Sequence, residues 1–215
     1  MRDLVVFVAD STMEIVFNSF LSRADYHEHY NLNIRPIAFK SSEDLIRVPG
    51  NDPGVYGKGH EWVRERLGKH RHAVVVFDRE FGTNLDADTL RDDLTNRILQ
   101  TGWEAERFRV IVIDPELEAW MWQRNQKVAT PLGFASVEEM VNSVIGAGLP
   151  WPNGHAKPAR PKEALEAIAR KRRIGWSAAI HRSITTNVSL VGCQDPTFLE
   201  LRQALQLWFP RGAPQ

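Results

Sequence analysis

The chain has 215 residues, 43% of them hydrophobic, and its 27 Lys and Arg balance its 27 Asp and Glu. This length fits one globular domain, and the zero net charge excludes overall charge as an argument for a nucleic-acid partner. A single cysteine, Cys193, excludes an internal disulfide, and neither a membrane span of roughly 20 apolar residues nor a signal peptide is visible, so we expect a cytoplasmic protein.

Three continuous apolar runs predict buried strands, at residues 4–8, 73–77 and 110–113. Runs rich in β-branched residues are typical of strands covered on both faces, as in a parallel sheet between helices. A further strand is expected at residues 34–39, where Pro36 favours an edge position.

The segments between and after these strands show helical spacing. Ser11 and Glu14 form a capping box that predicts the start of the first helix, with Ser11 as its N-cap. Residues 40–59 are rich in Pro and Gly and are expected to be mostly loop. The other predicted helices cover residues 61–67, 85–100, 116 onward, 138–145, 161–172 and 196–209.

This order of elements predicts the fold class. Strands alternating with helices favour an α/β three-layer sandwich with a mainly parallel four-stranded sheet. We expect that core in residues 1–123 and a helical C-terminal cap, packed on the core, in residues 124–215.

Carboxylates follow three of the predicted strands. Asp10 closes the first, Asp78 and Glu80 follow the third, and Glu116 comes just after the fourth. Ligands of parallel sheets gather at the carboxyl ends of the strands, and residues i and i+2 of an extended segment point to the same side. An oxygen-rich pocket of this kind suits Mg²⁺ or Mn²⁺, with Glu118 as a possible fifth ligand.

Each acid also has a structural explanation. Asp10 can serve the start of a helix, and Asp78 and Glu80 can pair with Arg79, although an extended strand would turn Arg79 to the opposite side. Glu116 and Glu118 can favour a helix N-terminus through its dipole. Asp114, which ends the fourth strand, competes with Glu116 for the ligand role.

Two further groups are candidates near the strand ends. Lys58, within the glycine-containing residues 57–60, can contact phosphate if these residues form a loop, although a plain turn is the favoured interpretation. His60 is the histidine most suited to carry a proton, facing the strand ends. The pairs at residues 27/29 and 70/72 lack accompanying cysteines, so zinc is not expected.

A basic segment lies in the C-terminal half. Between His155 and Arg182, eight Lys and Arg oppose two Glu, which is a local charge of 8 − 2 = +6. Such patches attract phosphate backbones, although basic residues also suit a helix C-terminus. The residues expected to contact DNA or RNA are Lys162, Arg170, Lys171 and Arg173, and Trp176 could stack on a base or belong to the core.

These motifs resemble the Toprim domain of topoisomerases, primases and related nucleases. Asp10 ends the first strand, Asp78-Arg79-Glu80 is similar to the acid-x-acid triplet, and residues 114–120 are similar to the E-x-E-x-W of small stand-alone Toprim-like proteins from bacterial defence islands. Residues 161–163 and the helix at 198–207 extend the resemblance. The triplet has Glu80 where the family has Asp, and Asp10 stands where it has Glu, unless Glu14 takes that role.

The resemblance implies a function. Asp78 and Glu80 would hold one or two Mg²⁺ ions, and Asp10 or Glu14 would orient a water or act as general base. The expected protein is a Mg²⁺-dependent phosphodiesterase or nuclease of a prokaryotic antiviral defence system. The alternatives are an inactive Toprim-like module that binds nucleic acid or another defence subunit, and a small-molecule phosphohydrolase on a flavodoxin-like scaffold.

Overall fold

The computed structural model describes residues 1–28, 32–173, 178–187 and 192–212. The first part of the chain contains β1 (Arg2–Val8), α1 (Ser11–Leu21), α2 (Ser41–Asp44), β2 (Leu45–Arg47), α3 (Asn51–Arg64), β3 (His70–Asp78), α4 (Ala87–Leu99) and β4 (Phe108–Ile113). The remainder contains α5 (Glu118–Met121), α6 (Gln126–Ala129), α7 (Val137–Gly146), α8 (Pro161–Arg172), α9 (Ala178–Asn187) and α10 (Pro196–Trp208).

The strands of the described ranges form one parallel sheet in the order β2-β1-β3-β4. The apolar runs of β1, β3 and β4 are buried throughout, as expected for strands covered by helices. Helices α3 and α4 contact each other and the sheet, while α10 packs on β4. The α/β class with a four-stranded parallel sheet is therefore confirmed, and it is consistent with a Rossmann-like sandwich.

The second strand of the sheet lies elsewhere than predicted. It is the three-residue β2, which pairs with the end of β1, whereas the region of residues 34–39 contributes only an isolated bridge between Ile34 and Pro210. There the main-chain N–H of Ile37 donates to the hydroxyl of Tyr26 at 2.7 Å. A side-chain partner thus takes the place of a strand partner.

The loop predicted for residues 40–59 is also wrong, because α2, β2 and most of α3 lie in it. Pro53 is tolerated because it lies in the first turn of α3, where its missing N–H costs no helical hydrogen bond. Gly54 permits a close approach of the backbone, since a Cβ there would lie 2.0 Å from the carbonyl oxygen of Pro49. These residues fit a helix whose start is packed tightly against the preceding chain.

The later helices form a second hydrophobic cluster. Buried side chains from α5 to α9, including Trp122, Leu132, Met140 and Ile168, pack together apart from the sheet. Helix α10 instead packs its buried residues into the core of the sheet. The predicted division at residue 124 therefore separates α10 from the strand on which it packs. Among the described helices, none is long and apolar enough to cross a membrane.

Candidate functional site

The carboxyl ends of β1, β3 and β4 lie side by side. Val8 of β1 is paired with Val76 of β3, and Asp78 of β3 is paired with Ile113 of β4. This register brings Asp10, Asp78 and the segment after β4 to one edge of the sheet. We use the name acidic site for the carboxylates gathered there: Asp10, Asp52, Asp78, Glu116 and Glu118.

Asp78 lies at the centre of the acidic site. Burial raises the pKa of its carboxyl group well above the usual value, and the charges of Asp52, Glu118, Asp10 and Glu116 raise it further. Its Oδ1 atom is buried and has no hydrogen-bond partner. A buried carboxylate among like charges is costly unless a proton or a cation neutralises it.

The sequence analysis missed Asp52, which was taken to cap a turn. Asp52 lies in the first turn of α3, and its Oδ1 accepts the main-chain N–H of Asp78 at 2.8 Å. Burial raises the pKa of Asp52, the charge of Asp10 raises it further, and Lys162 opposes the shift. The available signal was Asn51-Asp52-Pro53, an acid and a proline at a helix start, which the neighbouring glycines obscured.

Asp10 serves α1 and the acidic site together. It is the N-cap of α1, and its Oδ1 accepts the main-chain N–H groups of Thr12 and Met13, both at 2.8 Å. The predicted capping box with Ser11 as N-cap is therefore wrong. Glu14 does not reach back, and its carboxylate lies 3.6 Å from Arg47. Of the two candidate acids after β1, Asp10 is the one whose charge acts on Asp78.

Glu116 forms an ion pair with Lys162, whose Nζ lies 2.8 Å from Oε2 of Glu116. Burial raises the pKa of Glu116, and Lys162 counteracts that effect. The pKa of Lys162 is raised by its hydrogen bond to Glu116 and further by the charges of Glu118 and Asp78. Lys162 was predicted to contact nucleic acid, and the structure places it at the acidic site, at the start of α8.

Glu118 and Glu80 differ in their surroundings. Glu118 is buried, with 6% exposure, and its Oε1 lies 3.6 Å from Nε2 of His181 on α9. Glu80 is exposed and accepts from Arg79 at 2.9 Å, while Arg79 also reaches Asp114 at 3.3 Å. The expectation that Arg79 would point away from Glu80 is therefore wrong, and this pairing draws Glu80 toward Arg79 rather than toward Asp78.

Lys58 and His60 lie in the interior of α3, so residues 57–60 are neither a turn nor a phosphate-binding loop. In a helix interior the main-chain N–H groups are engaged in the helix and cannot cradle a phosphate. His60 is eight residues after Asp52, which is about 12 Å along a helix axis. His60 therefore does not face the strand ends as predicted, and Lys58 is an exposed residue of the same helix.

The basic end of α8 divides into two pairs. Lys171 and Arg172 contact α7, and Arg172 pairs with Glu139 at 2.6 Å. Arg170 and Arg173 are exposed, and Arg173 adopts a left-handed backbone conformation with φ of 53° where the helix ends. Arg170 and Arg173 are thus the members of this group most open to a phosphate backbone.

Other residues considered from the sequence have structural roles or lie outside the described residues. Trp120 and Trp122 are buried, as is Cys193, and burial raises the pKa of the Cys193 thiol to about 11. A thiol with a raised pKa is a poor nucleophile at neutral pH. Trp176 and His29 lie outside the described residues.

The acidic site has the donor atoms of a hard-cation site without a finished coordination shell. Within the ranges that the structure describes, no three His, Cys, Asp or Glu side chains form a group that could hold a metal ion. The fit to a cation rests instead on the unpartnered Oδ1 of Asp78 and on the four like charges around it. No protein-family model, curated protein or solved structure matches this chain.

Proposed function

We propose that this protein is a Mg²⁺- or Mn²⁺-dependent phosphodiesterase that acts on nucleic acid at the acidic site. The observation that carries the proposal is the buried, unpartnered Oδ1 of Asp78 with four further carboxylates around it. Groups of like charge at strand ends are seldom retained for stability, because each charge disfavours the others. A bound cation would remove that repulsion.

The donor chemistry fits these ions, which prefer carboxylate oxygens. Asp78 with Asp10, Asp52 and Glu116 would hold the ion, and Glu118 would contribute charge from beside them. A metal ion bound there would polarise a phosphoryl oxygen and lower the pKa of a bound water. Asp10 is the acid after β1 that the proposal assigns to orienting water, in place of Glu14.

The protein's own cations would bind the substrate. The side chain of Lys162 is 47% exposed, so its ammonium group can exchange Glu116 for a phosphate oxygen. Arg170 and Arg173 lie eight and eleven residues further along, or about 12 and 16 Å at a rise of 1.5 Å per residue. Helix α8 would therefore offer cations both at the acidic site and beyond it.

The Toprim-like identity and a role in prokaryotic antiviral defence belong to the same proposal. They are supported by the sequence resemblance, in which acids follow β1, β3 and β4 in the family's order. A cytoplasmic location is consistent with the single cysteine and with nucleic acid as substrate. Phage plating on cells that express the wild-type protein or its Asp78→Asn variant would test this role.

A second function is favoured by two ion pairs. Lys162 neutralises Glu116, and Arg79 engages Glu80, so both acids already have cationic partners in this structure. A protein with such a site could bind nucleic acid or a partner subunit without cleaving it. This alternative predicts binding that does not depend on a divalent ion.

The experiment is a cleavage assay on labelled single-stranded DNA, duplex DNA and RNA with Mg²⁺, Mn²⁺ or EDTA. We expect cleavage only with the divalent ions, and we expect Asp78→Asn and Glu116→Gln to abolish it. Asp88→Asn, at an acid whose side chain is 79% exposed on α4, is the control and should cleave normally. Binding that is identical in EDTA and Mn²⁺, with no cleavage, would favour the binding module instead.

A further inference from the structure

Asp52 is a carboxylate of α3 whose role the strand-end pattern does not explain. We propose that Asp52 is a further member of the cation-binding set and serves it through its negative charge rather than through its hydrogen bond to Asp78. This inference rests on the proposed function, since it names an additional residue of the same site.

The fold holds Asp52 in place through the start of α3. Gly50, which precedes the helix, has a φ of 94°, a left-handed conformation that favours glycine. Gly54 lies so close to Pro49 that a Cβ would meet the Pro49 carbonyl oxygen at 2.0 Å. Pro53 fixes the backbone in the first turn. Four constrained residues around Asp52 therefore direct its carboxylate to the end of β3.

The contact with Asp78 joins two anions. Oδ1 of Asp52 accepts the main-chain N–H of Asp78 at 2.8 Å, while its charge acts against the charge of the Asp78 side chain. A carboxylate accepts several hydrogen bonds and can coordinate a cation at the same time. Asp52 therefore brings a second negative charge to the unpartnered oxygen of Asp78.

A structural role alone does not account for this choice of residue. Asparagine has a carbonyl oxygen that accepts the same N–H, and it would add no repulsion toward Asp78 and Asp10. The dipole of α3 favours an anion in its first turn, but that effect is small at a helix end. The buried Oδ1 of Asp78 is an independent indication that a cation is missing from this neighbourhood. Charge at Asp52 is thus explained by a cation rather than by the fold.

The test separates the charge from the hydrogen bond. Asp52→Asn keeps the acceptor and removes the charge, whereas Asp52→Ala removes both. The matched control is Asp86→Asn, since Asp86 is also an acid whose Oδ1 accepts a main-chain N–H, from Thr89 at 2.7 Å, at the start of α4. Mn²⁺ binding is measured by electron paramagnetic resonance titration, and metal-free stability by melting in EDTA.

We expect Asp52→Asn to weaken Mn²⁺ binding at least about tenfold, the equivalent of about 1.4 kcal/mol, and to melt in EDTA no lower than the wild type. Asp86→Asn should bind Mn²⁺ normally, and Asp52→Ala should melt below Asp52→Asn. Binding by Asp52→Asn within twofold of the wild type overturns the inference and leaves Asp52 as a structural acceptor. If Asp78→Asn loses Mn²⁺ in that case, the proposed function survives, whereas a wild type that binds no Mn²⁺ overturns both.

Discussion

Replacing Asp78 by Asn should stabilise the protein when no metal is present. Asp78 has a raised pKa because it is buried and because Asp52, Glu118 and other carboxylates surround it. Asparagine has nearly the same shape and carries no charge, so the substitution removes the electrostatic cost and leaves no cavity. This expectation is the reverse of the usual effect of changing a buried polar residue.

The magnitude follows from the pKa. One pKa unit corresponds to about 1.4 kcal/mol, and for a chain of this size 1 kcal/mol moves Tm by about 2–4 °C. The substitution should therefore raise Tm by about 3–6 °C at pH 7 for each unit by which folding raises the pKa of Asp78. The folded state binds more protons than the unfolded state between the unfolded pKa of about 3.9 and the raised folded pKa. The wild-type protein should thus lose stability as pH rises through that window, and the variant should lose less.

The assay is urea denaturation in EDTA from pH 5 to pH 8 for the wild type, Asp78→Asn and a control. Asp114→Asn is a suitable control, because Asp114 ends the adjacent β4 and its side chain is 56% exposed. Its effect should stay within about 0.5 kcal/mol. An Asp78→Asn protein that is less stable than the wild type at pH 7 would refute the reasoning and make Asp78 a structural acceptor.

The remaining predictions concern metal, nucleic acid and the fold. A hundredfold excess of Mn²⁺ over Kd should stabilise the wild type by about 2.7 kcal/mol, or about 5–10 °C in Tm, and equal melting in EDTA would contradict a metal site. Arg170→Gln with Arg173→Gln should lower the slope of log K against log salt by about 0.9 per lost duplex contact, measured by fluorescence anisotropy, whereas Lys171→Gln, which faces α7, should leave it unchanged. Asp44→Asn should cost about 2–4 kcal/mol in urea denaturation, because this fully buried carboxylate accepts from Arg2 and pairs with His70, and a neutral effect would mean that the network is dispensable.

Sequence reasoning located the elements with strong periodicity. The β-branched runs of β1, β3 and β4 needed no tertiary information, and α8 has the predicted bounds of residues 161–172. β2 escaped detection because a strand of three residues is too short for a period to be visible. Helix α3 escaped because Gly54 and its neighbouring glycines resemble a loop in composition, although Gly54 is required by contact with Pro49.

The acidic site was predicted in part for the same reason. Asp10, Asp78 and Glu116 follow visible strands, so parallel topology alone brings them to one edge of the sheet. Asp52 depends on where α3 begins, which the sequence does not reveal when the helix itself is missed. Lys162 reaches Glu116 only because α8 packs beside α5, a contact between distant segments that no local pattern encodes.

The most direct test of the central claim is anomalous diffraction from crystals soaked in Mn²⁺. A manganese peak between the side chains of Asp78 and Glu116, absent from crystals of Asp78→Asn, is the predicted result, with the Nζ of Lys162 displaced from its 2.8 Å contact with Glu116. Wild-type crystals that keep the Lys162 contact and show manganese only away from the acidic site would contradict the account.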